Sequence, residues 1–455
     1  MMLQLNDIKK VYFIGIGGIG MSAIARFFNQ RGVSVSGYDK TPTALTNILE
    51  QEGIQVHFDD NIEKAPLDAD LVVYTPAIPK EHTELKMYQN SQVPLMKRSE
   101  VLGLISKDSF CIAVSGSHGK TTVSSMITHI LKDSGYDCSA FLGGISVNLN
   151  SNYTSGKNNV VVVEADEYDR SFHRLSPDIA VITAVDTDHL DIYGTKEKIE
   201  EAFVIFTQKI KEHGKVVANN DVQILDQIST EKLTYHLSDT ASTCFVVNYE
   251  ILDGAYNINI NDIHGVAQKF VLNIAGYHNI ENALATISVA QLLDISFDKI
   301  AKALATFKGI KRRFEYIYKS PTCIYVDDYA HHPQEIDVFL GSMKEMYPSK
   351  KITAIFQPHL FSRTKDLCVD FAKSLSQIDN LYLLDIYPAR EKPMEGVTSN
   401  LILDKVTIAN KAILSKEEVL EKITNSKDEI IVTIGAGDID TMIVKIKKIL
   451  EEQKR

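Results

Sequence analysis

The sequence predicts an α/β chain of three domains, each a mostly parallel sheet with helices on both faces, with an antiparallel meander attached to the middle one. Three observations carry this. Short apolar strands alternate with amphipathic helices along most of the 455 residues, the pattern that buries a parallel sheet between helical layers. Two glycine-rich turns, Gly15–Gly20 and Gly116–Gly119, each follow a strand and open a helix. A polar break at Ser106-Lys107-Asp108-Ser109 and a restart near Pro321 set the runs apart, at a length that suits two to four domains of roughly 100–200 residues. The boundaries read as 1–107, 108–319 and 320–455.

In chain order, Val11–Gly15 reads as a strand, followed by a helix with Ala23, Ile24, Phe27 and Phe28 on one face. Val33–Tyr38 and Leu71–Thr75 are the next strands. In the second domain Phe110–Val114 leads into a helix carrying Val123, Met126, Ile127, Ile130 and Leu131 on one face, with strands at Val160–Val163 and Ile179–Thr183. From Tyr235 to Ile274 the pattern alternates, as in Tyr256–Ile260, and reads as the meander. Cys323–Val326, Ile352–Phe356, Leu381–Asp385 and Ile430–Ile434 are the strands of the third domain, and the last helix buries Met442, Ile446, Ile449 and Leu450.

Composition removes several function classes. The net charge of −11, without a long basic run, argues against sequence-independent nucleic-acid binding, which needs Lys and Arg to neutralise phosphates. Cys111, Cys138, Cys244, Cys323 and Cys368 form neither a CxxC pair nor an even set, which suits a reducing, cytoplasmic compartment. Lys9-Lys10 before the apolar run Val11–Ala25 imitates a signal peptide, but the glycines in that run have a better use. No stretch approaches the eighteen or so apolar residues that would span a bilayer, so no membrane insertion is expected.

The strongest chemical signal is Gly116-Ser117-His118-Gly119-Lys120-Thr121-Thr122 between a strand and a helix. Backbone N–H groups there can cradle phosphates, Lys120 can reach the outer phosphates and Thr121 can ligate Mg²⁺. The first glycine stands two residues closer than in GxxxxGK[ST], which weakens a general ATPase reading. The strand Val160–Val163 ends in Glu164-Ala165-Asp166-Glu167, where ligands gather in open α/β sheets; these acids would repel one another unless a cation compensates. Asp166 reads equally as a helix cap. His189, in Asp188-His189-Leu190-Asp191, follows the next strand as a candidate metal or phosphate ligand. His278 and Asn282 share a helix face at i and i+4 and suit an adenine edge, while Asn279 reads as a possible N-cap.

Gly15-Ile16-Gly17-Gly18-Ile19-Gly20, with Asp39 closing the next strand, has dinucleotide-fingerprint spacing. The physical need is a close backbone approach to a pyrophosphate, which NAD and a UDP-sugar both present. In the third domain, Asp327-Asp328-Tyr329-Ala330-His331-His332-Pro333 and Phe356-Gln357-Pro358-His359, with Arg363, follow strands, and Lys311-Arg312-Arg313 stands at the domain border. Such cations could close onto a transferring phosphoryl group.

These motifs, in this order, resemble the Mur ligase family over essentially the whole chain, from Val11 to Gly435-Ala436-Gly437-Asp438-Ile439. The resemblance is strongest to the branch that adds L-alanine. It implies a Rossmann-like first domain, a P-loop-type central domain with the meander, and a Rossmann-like third domain. It further implies ligation of L-alanine to UDP-N-acetylmuramate through an acyl phosphate, with ATP and Mg²⁺ (or Mn²⁺), in peptidoglycan synthesis. Carried over by motif, Gly15, Gly17, Gly18, Ile19, Gly20 and Asp39 would hold UDP. Gly116, Ser117, His118, Gly119, Lys120, Thr121, Thr122, His278, Asn282 and Arg313 would hold ATP, and Thr121, Glu164 and His189 the metal. His331, His332, His359 and Arg363 would face the amino acid and acyl phosphate, with Lys120, His189, Arg313 and His331 as catalytic groups. Leu360 stands where some relatives have Arg. The alternatives are a murein tripeptide-recycling ligase, an NAD(P)-dependent oxidoreductase and a non-catalytic nucleotide-binding module.

Overall fold

A computed structural model describes residues 5–186, 190–252, 254–389 and 391–453. The described residues form three sheets, of five, ten and six strands. The first contains β1 (Lys10–Ile14), β2 (Ser34–Tyr38), β3 (Gln55–His57), β4 (Leu71–Tyr74) and β5 (Leu95–Lys97), all parallel in the order β3-β2-β1-β4-β5. The order reverses at β1, which places the Gly15–Gly20 turn at the switch point where ligands bind in such sheets.

The second sheet contains β6 (Phe110–Ser115), β7 (Ser139–Ser146), β8 (Ser151–Thr154), β9 (Val160–Glu164), β10 (Ile179–Ile182), β11 (Lys215–Asn219), β12 (Lys232–His236), β13 (Cys244–Leu252), β14 (Ala255–Asn261) and β15 (Ala267–Leu272). Its order is β15-β14-β13-β12-β11-β10-β6-β9-β7-β8. β6 is flanked by β9 and β10, so the Lys120 loop, the acidic strand end and the end of β10 meet at one carboxyl edge. The meander begins later than the alternation suggests. β10 to β15 lie side by side in chain order, but β12 still pairs with β13 in parallel, Tyr235 facing Cys244, so the reversal of direction starts only after β13. The step from Leu252 to Ala255 is too short for a parallel crossover, so it reverses the chain.

The third sheet contains β16 (Glu315–Lys319), β17 (Ile324–Asp328), β18 (Ile352–Phe356), β19 (Asn380–Leu383), β20 (Asn410–Ile413) and β21 (Ile430–Ile434), in the order β16-β17-β21-β18-β19-β20. Only its edge pair, β16 with β17, is antiparallel. The expected last helix is Ile443–Glu452; Ile446 and Leu450 are buried in it, Met442 is buried in the 3₁₀ turn before it, and Ile449 is only half-buried at the rim of that core.

The chain divides into two compact units, Met1–Tyr249 with Ile258–Val271 and Ile280–Phe307, and Glu250–Asn257 with Leu272–Asn279 and Lys308–Arg455. The first unit holds the first sheet and most of the second because they share a core. The helix Ile19–Gln30 carries Phe27 onto Phe141 of β7, ring centroids 5.5 Å apart. On its polar side Arg26, 4% exposed, bonds Glu52 at 2.7 Å and Asn152 of β8. The tip of the meander groups with the second unit, where Gly254 packs on Tyr347 and the Tyr256 hydroxyl bonds Glu345 at 3.3 Å.

Candidate active site

In the first unit the phosphate loop is shaped by two left-handed glycines, Gly116 (φ +133°) and Gly119 (φ +83°). Neither admits a side chain: a Cβ on Gly116 would lie 2.1 Å from Thr183 Oγ1, and one on Gly119 2.7 Å from Asn282 Oδ1. Thr183, at the end of β10, donates to the carbonyls of Ser115 and His118 and so fixes the loop's path. The Ser117 N–H donates to Ala184 O at 3.0 Å, and the Ser117 hydroxyl accepts from Asp186 N at 2.8 Å. Exposed His118 stands 3.6 Å from Asp186. The helix Lys120–Asp133 starts directly on the loop, so its unpaired N-terminal N–H groups face the cradle.

Lys120 Nζ bonds both Glu167 carboxylate oxygens at 2.7 Å and Gly116 O at 2.6 Å. Glu164 accepts from Gly143 N at 2.5 Å, Thr121 Oγ1 at 3.1 Å and Ser124 Oγ at 3.2 Å. Asp166 accepts from Tyr168 N at 3.1 Å and organises the following 3₁₀ turn. The acids therefore do not crowd one cation as the sequence suggested; each has its own partner, because the chain turns between them. Among the described residues no group of three or more His, Cys, Asp or Glu is placed to hold a metal ion. Mg²⁺ does not need one, since it keeps several waters and takes one or two protein oxygens, and Thr121 with Glu164 presents such a pair. His189 lies outside the described residues. Asn282 is buried against the loop, whereas His278 is exposed. Asn279 is not an N-cap: it lies inside the first turn of the helix Tyr277–Leu292 and donates to Ala275 O at 2.6 Å.

The Gly15–Gly20 turn is held from below. Gly15 N and Ile16 N both bond Tyr38 O, at 2.8 and 2.9 Å. Asp39 Oδ2 accepts from Gly17 N at 2.7 Å, and a Cβ on Gly17 would meet that oxygen at 2.8 Å. Asp39 thus braces the loop itself. Arg98 lies over Gly20, its Nη1 3.0 Å from where a Cβ would stand. Sequence reading missed Arg98, Ser124 and Gly143, which stand outside any motif, and gave Glu167 no role of its own although it closes the run Glu164–Glu167 with its three acids.

In the second unit the border turn is pinned to the end of β17. Arg312 (φ +61°) bonds Asp327 at 3.0 Å and Gly435 O at 2.6 Å, while Asp328 accepts from Phe314 N and Ala330 N, both at 2.7 Å. Burial raises the Asp328 carboxyl to about 7. Arg312 is spent on this brace and Arg313 is exposed. His332 is the N-cap of the helix Pro333–Met346, and Glu335 accepts from the N–H groups of His331 and His332 at 2.8 and 3.0 Å. The rings of His331 and His359 lie 6.1 Å apart, and Arg363 follows in the first turn of the helix Phe361–Leu375. Burial, then Arg363 and His331, lower the His359 pKa. Gln357 faces away and ties the Gly435–Ile439 segment through Asp438 Oδ1 at 2.8 Å and Ile439 N at 2.9 Å.

Three family descriptions match in sequence: "Mur ligase family, catalytic domain" over residues 10–109, "Mur ligase middle domain" over 114–290 and "Mur ligase, glutamate ligase domain" over 312–437. The UDP-N-acetylmuramate–L-alanine ligase of Flavobacterium johnsoniae is 48% identical over 99% of this chain and 100% of its own length. The chain belongs to the Mur ligase family. The same-named protein of Flavobacterium psychrophilum is also 48% identical, again over 99% and 100%. Among solved structures, the UDP-N-acetylmuramate-alanine ligase of Thermotoga maritima superimposes with a TM-score of 0.80 at 27% identity, covering 98% of this chain and 99% of that one. A murein peptide ligase of Psychrobacter arcticus, at 22% identity over 96% and 98%, reaches 0.67 and shares the fold. Mur ligases form amide bonds at the expense of ATP, so this chain is an enzyme of that class. No helix among the described residues is long and apolar enough to cross a membrane.

Proposed function

We propose that this Mur ligase joins L-alanine to the lactyl carboxylate of UDP-N-acetylmuramate, with ATP converted to ADP and phosphate, as a cytoplasmic step in peptidoglycan precursor synthesis. The observation that carries this is end-to-end similarity, 48% over 99% of the chain, to relatives of that name. The three family matches, 10–109, 114–290 and 312–437, support functional domains at 1–107 for the UDP-sugar, 108–319 for ATP and Mg²⁺, and 320–455 for the amino acid.

A carboxylate is a poor acyl donor because oxide would have to leave. Its oxygen attacks the γ-phosphorus of ATP, ADP departs, and an acyl phosphate results. The amine nitrogen of L-alanine then attacks the carbonyl carbon, phosphate leaves, and the amine gives up a proton to His331 or to water. Most of the catalysis is positioning and charge neutralisation. Lys120, released from Glu167, and Arg313 take the phosphoryl charge. Thr121 and Glu164, with His189 carried over from the motif, would hold Mg²⁺, which would supply Lewis-acid charge at the phosphates. Asn282 and His278 meet the adenosine. Gly15–Gly20, braced by Asp39, approach the pyrophosphate. His331, His332, His359 and Arg363 face the amino acid.

The test is phosphate release from ATP and Mg²⁺ with UDP-N-acetylmuramate against a panel of amino acids and murein peptides. Release that requires L-alanine, with a matching mass gain on the sugar, is expected. Release only with the tripeptide would move the chain to the recycling reaction, and no release would remove the ligase reading.

A further inference from the structure

The loop that leaves β19 is strapped to the segment Phe356–Arg363. Leu384 N bonds Phe356 O at 2.9 Å, Tyr387 N bonds Pro358 O at 2.8 Å, and Leu360 N bonds Tyr387 O at 2.9 Å. The Tyr387 ring stacks on His359 at 5.7 Å and 21°. Further along the same loop, Glu391 accepts from Ser362 N at 3.0 Å and from the Ser362 hydroxyl. Ser362 lies in the first turn of the helix Phe361–Leu375, between His359 and Arg363. The N-cap before it, Leu360, has φ +73°, a left-handed conformation that persists only where its surroundings impose it. His359 Nδ1 and Arg363 Nη1 are buried atoms without a hydrogen-bond partner among the described residues. Buried polar atoms of this kind are satisfied by something.

We propose that Glu391 is a positioning residue for the amino-acid substrate: by holding Ser362 it sets the helix's first turn, and with it His359 and Arg363, whose unpartnered polar atoms receive the substrate's carboxylate. The inference rests on the ligase reading above, which already sets His359 and Arg363 toward the amino acid, and adds to it the residue that holds them in place. Glu391 does not touch the substrate. Its carboxylate satisfies an N–H that the helix cannot, at the end of the helix that favours negative charge. Without it the left-handed Leu360 relaxes and Arg363 loses its aim, while the nucleotide residues of the first unit are untouched.

Steady-state kinetics of Glu391→Gln test this. The KM for L-alanine is expected to rise about tenfold, the worth of one charge-assisted hydrogen bond, with kcat and the KM for ATP within about twofold. Ser362→Ala is expected to act in the same direction, and the double variant to be no worse than the worse single one, because both remove one linkage. Ser362→Ala carries the test alone should Glu391→Gln fold poorly. An unchanged or lower KM for L-alanine, or a joint loss in kcat and every KM, would overturn the proposal. Absence of L-alanine-dependent phosphate release in the unsubstituted protein would instead remove the ligase reading on which it rests.

Discussion

Lys120 and Glu167 form a largely buried ion pair, with side chains 17% and 3% exposed. Nucleotide phosphates would compete for the same ammonium, so the pair serves as a placeholder as well as a brace. Lys120→Met is expected to lower phosphate release by about 10²-fold or more and to destabilise the protein by roughly 3 kcal/mol, because Glu167 stays buried without its cation. Lys120→Met with Glu167→Gln removes both charges; urea unfolding should show most of the stability restored while activity stays lost. Asp328 gives a pH signature. Its carboxyl is raised from the ordinary 3.8 to about 7, so the folded state holds this proton more tightly than the unfolded one. Its stabilising share is complete below about pH 4 and fades as pH rises to about 7. The stability of the unsubstituted protein relative to Asp328→Asn, measured by denaturant titration, should therefore fall steadily from pH 4 to 7.5, with the variant gaining on it; a constant difference would remove this assignment.

At the scale of the element, the phosphate loop and its helix were legible because a glycine turn between an apolar strand and Lys-Thr-Thr has few uses. What packs behind the loop was not, since Thr183 and Asn282 come from distant segments. Two glycine substitutions separate these contributions. Gly135 also has positive φ, +80°, but a Cβ there meets nothing within 4 Å. Gly135→Ala should cost only about 1 kcal/mol and leave ATP turnover intact. Gly116→Ala adds a clash with Thr183 and Ala184 and should cost several times that, roughly 3 kcal/mol or more, with loss of ATP turnover. Equal effects in denaturation and turnover would count against a loop shaped by packing. The meander shows the opposite case: alternation announced half-buried strands, but β12 runs parallel to β13 because pairing direction depends on the route of the connection and not on periodicity.

For the whole molecule, two compact units with separate cores predict more than one unfolding transition. UDP-N-acetylmuramate, bound through the Gly15–Gly20 turn, should shift the transition of the first unit by about 2.7 kcal/mol at a hundredfold excess over Kd and leave the other in place. Calorimetry with and without the sugar nucleotide checks this; a single transition that moves as one would contradict independent units. Three motif-bearing runs were visible in sequence, yet the first two share a core through Phe27, Phe141 and buried Arg26. The sequence by itself determined the strands and helices that flank the motifs, the two glycine turns, the order of the motifs and, through them, the family. These are local signals: periodicity, turn chemistry and the spacing a phosphate requires. Tertiary structure alone decided which acid partners which cation, that Asp39 and Arg312 act as braces, and that Glu391 stands at the helix carrying Arg363. Those pairings join residues far apart in the chain, and hydrogen bonding between such residues is fixed only when packing brings their elements together.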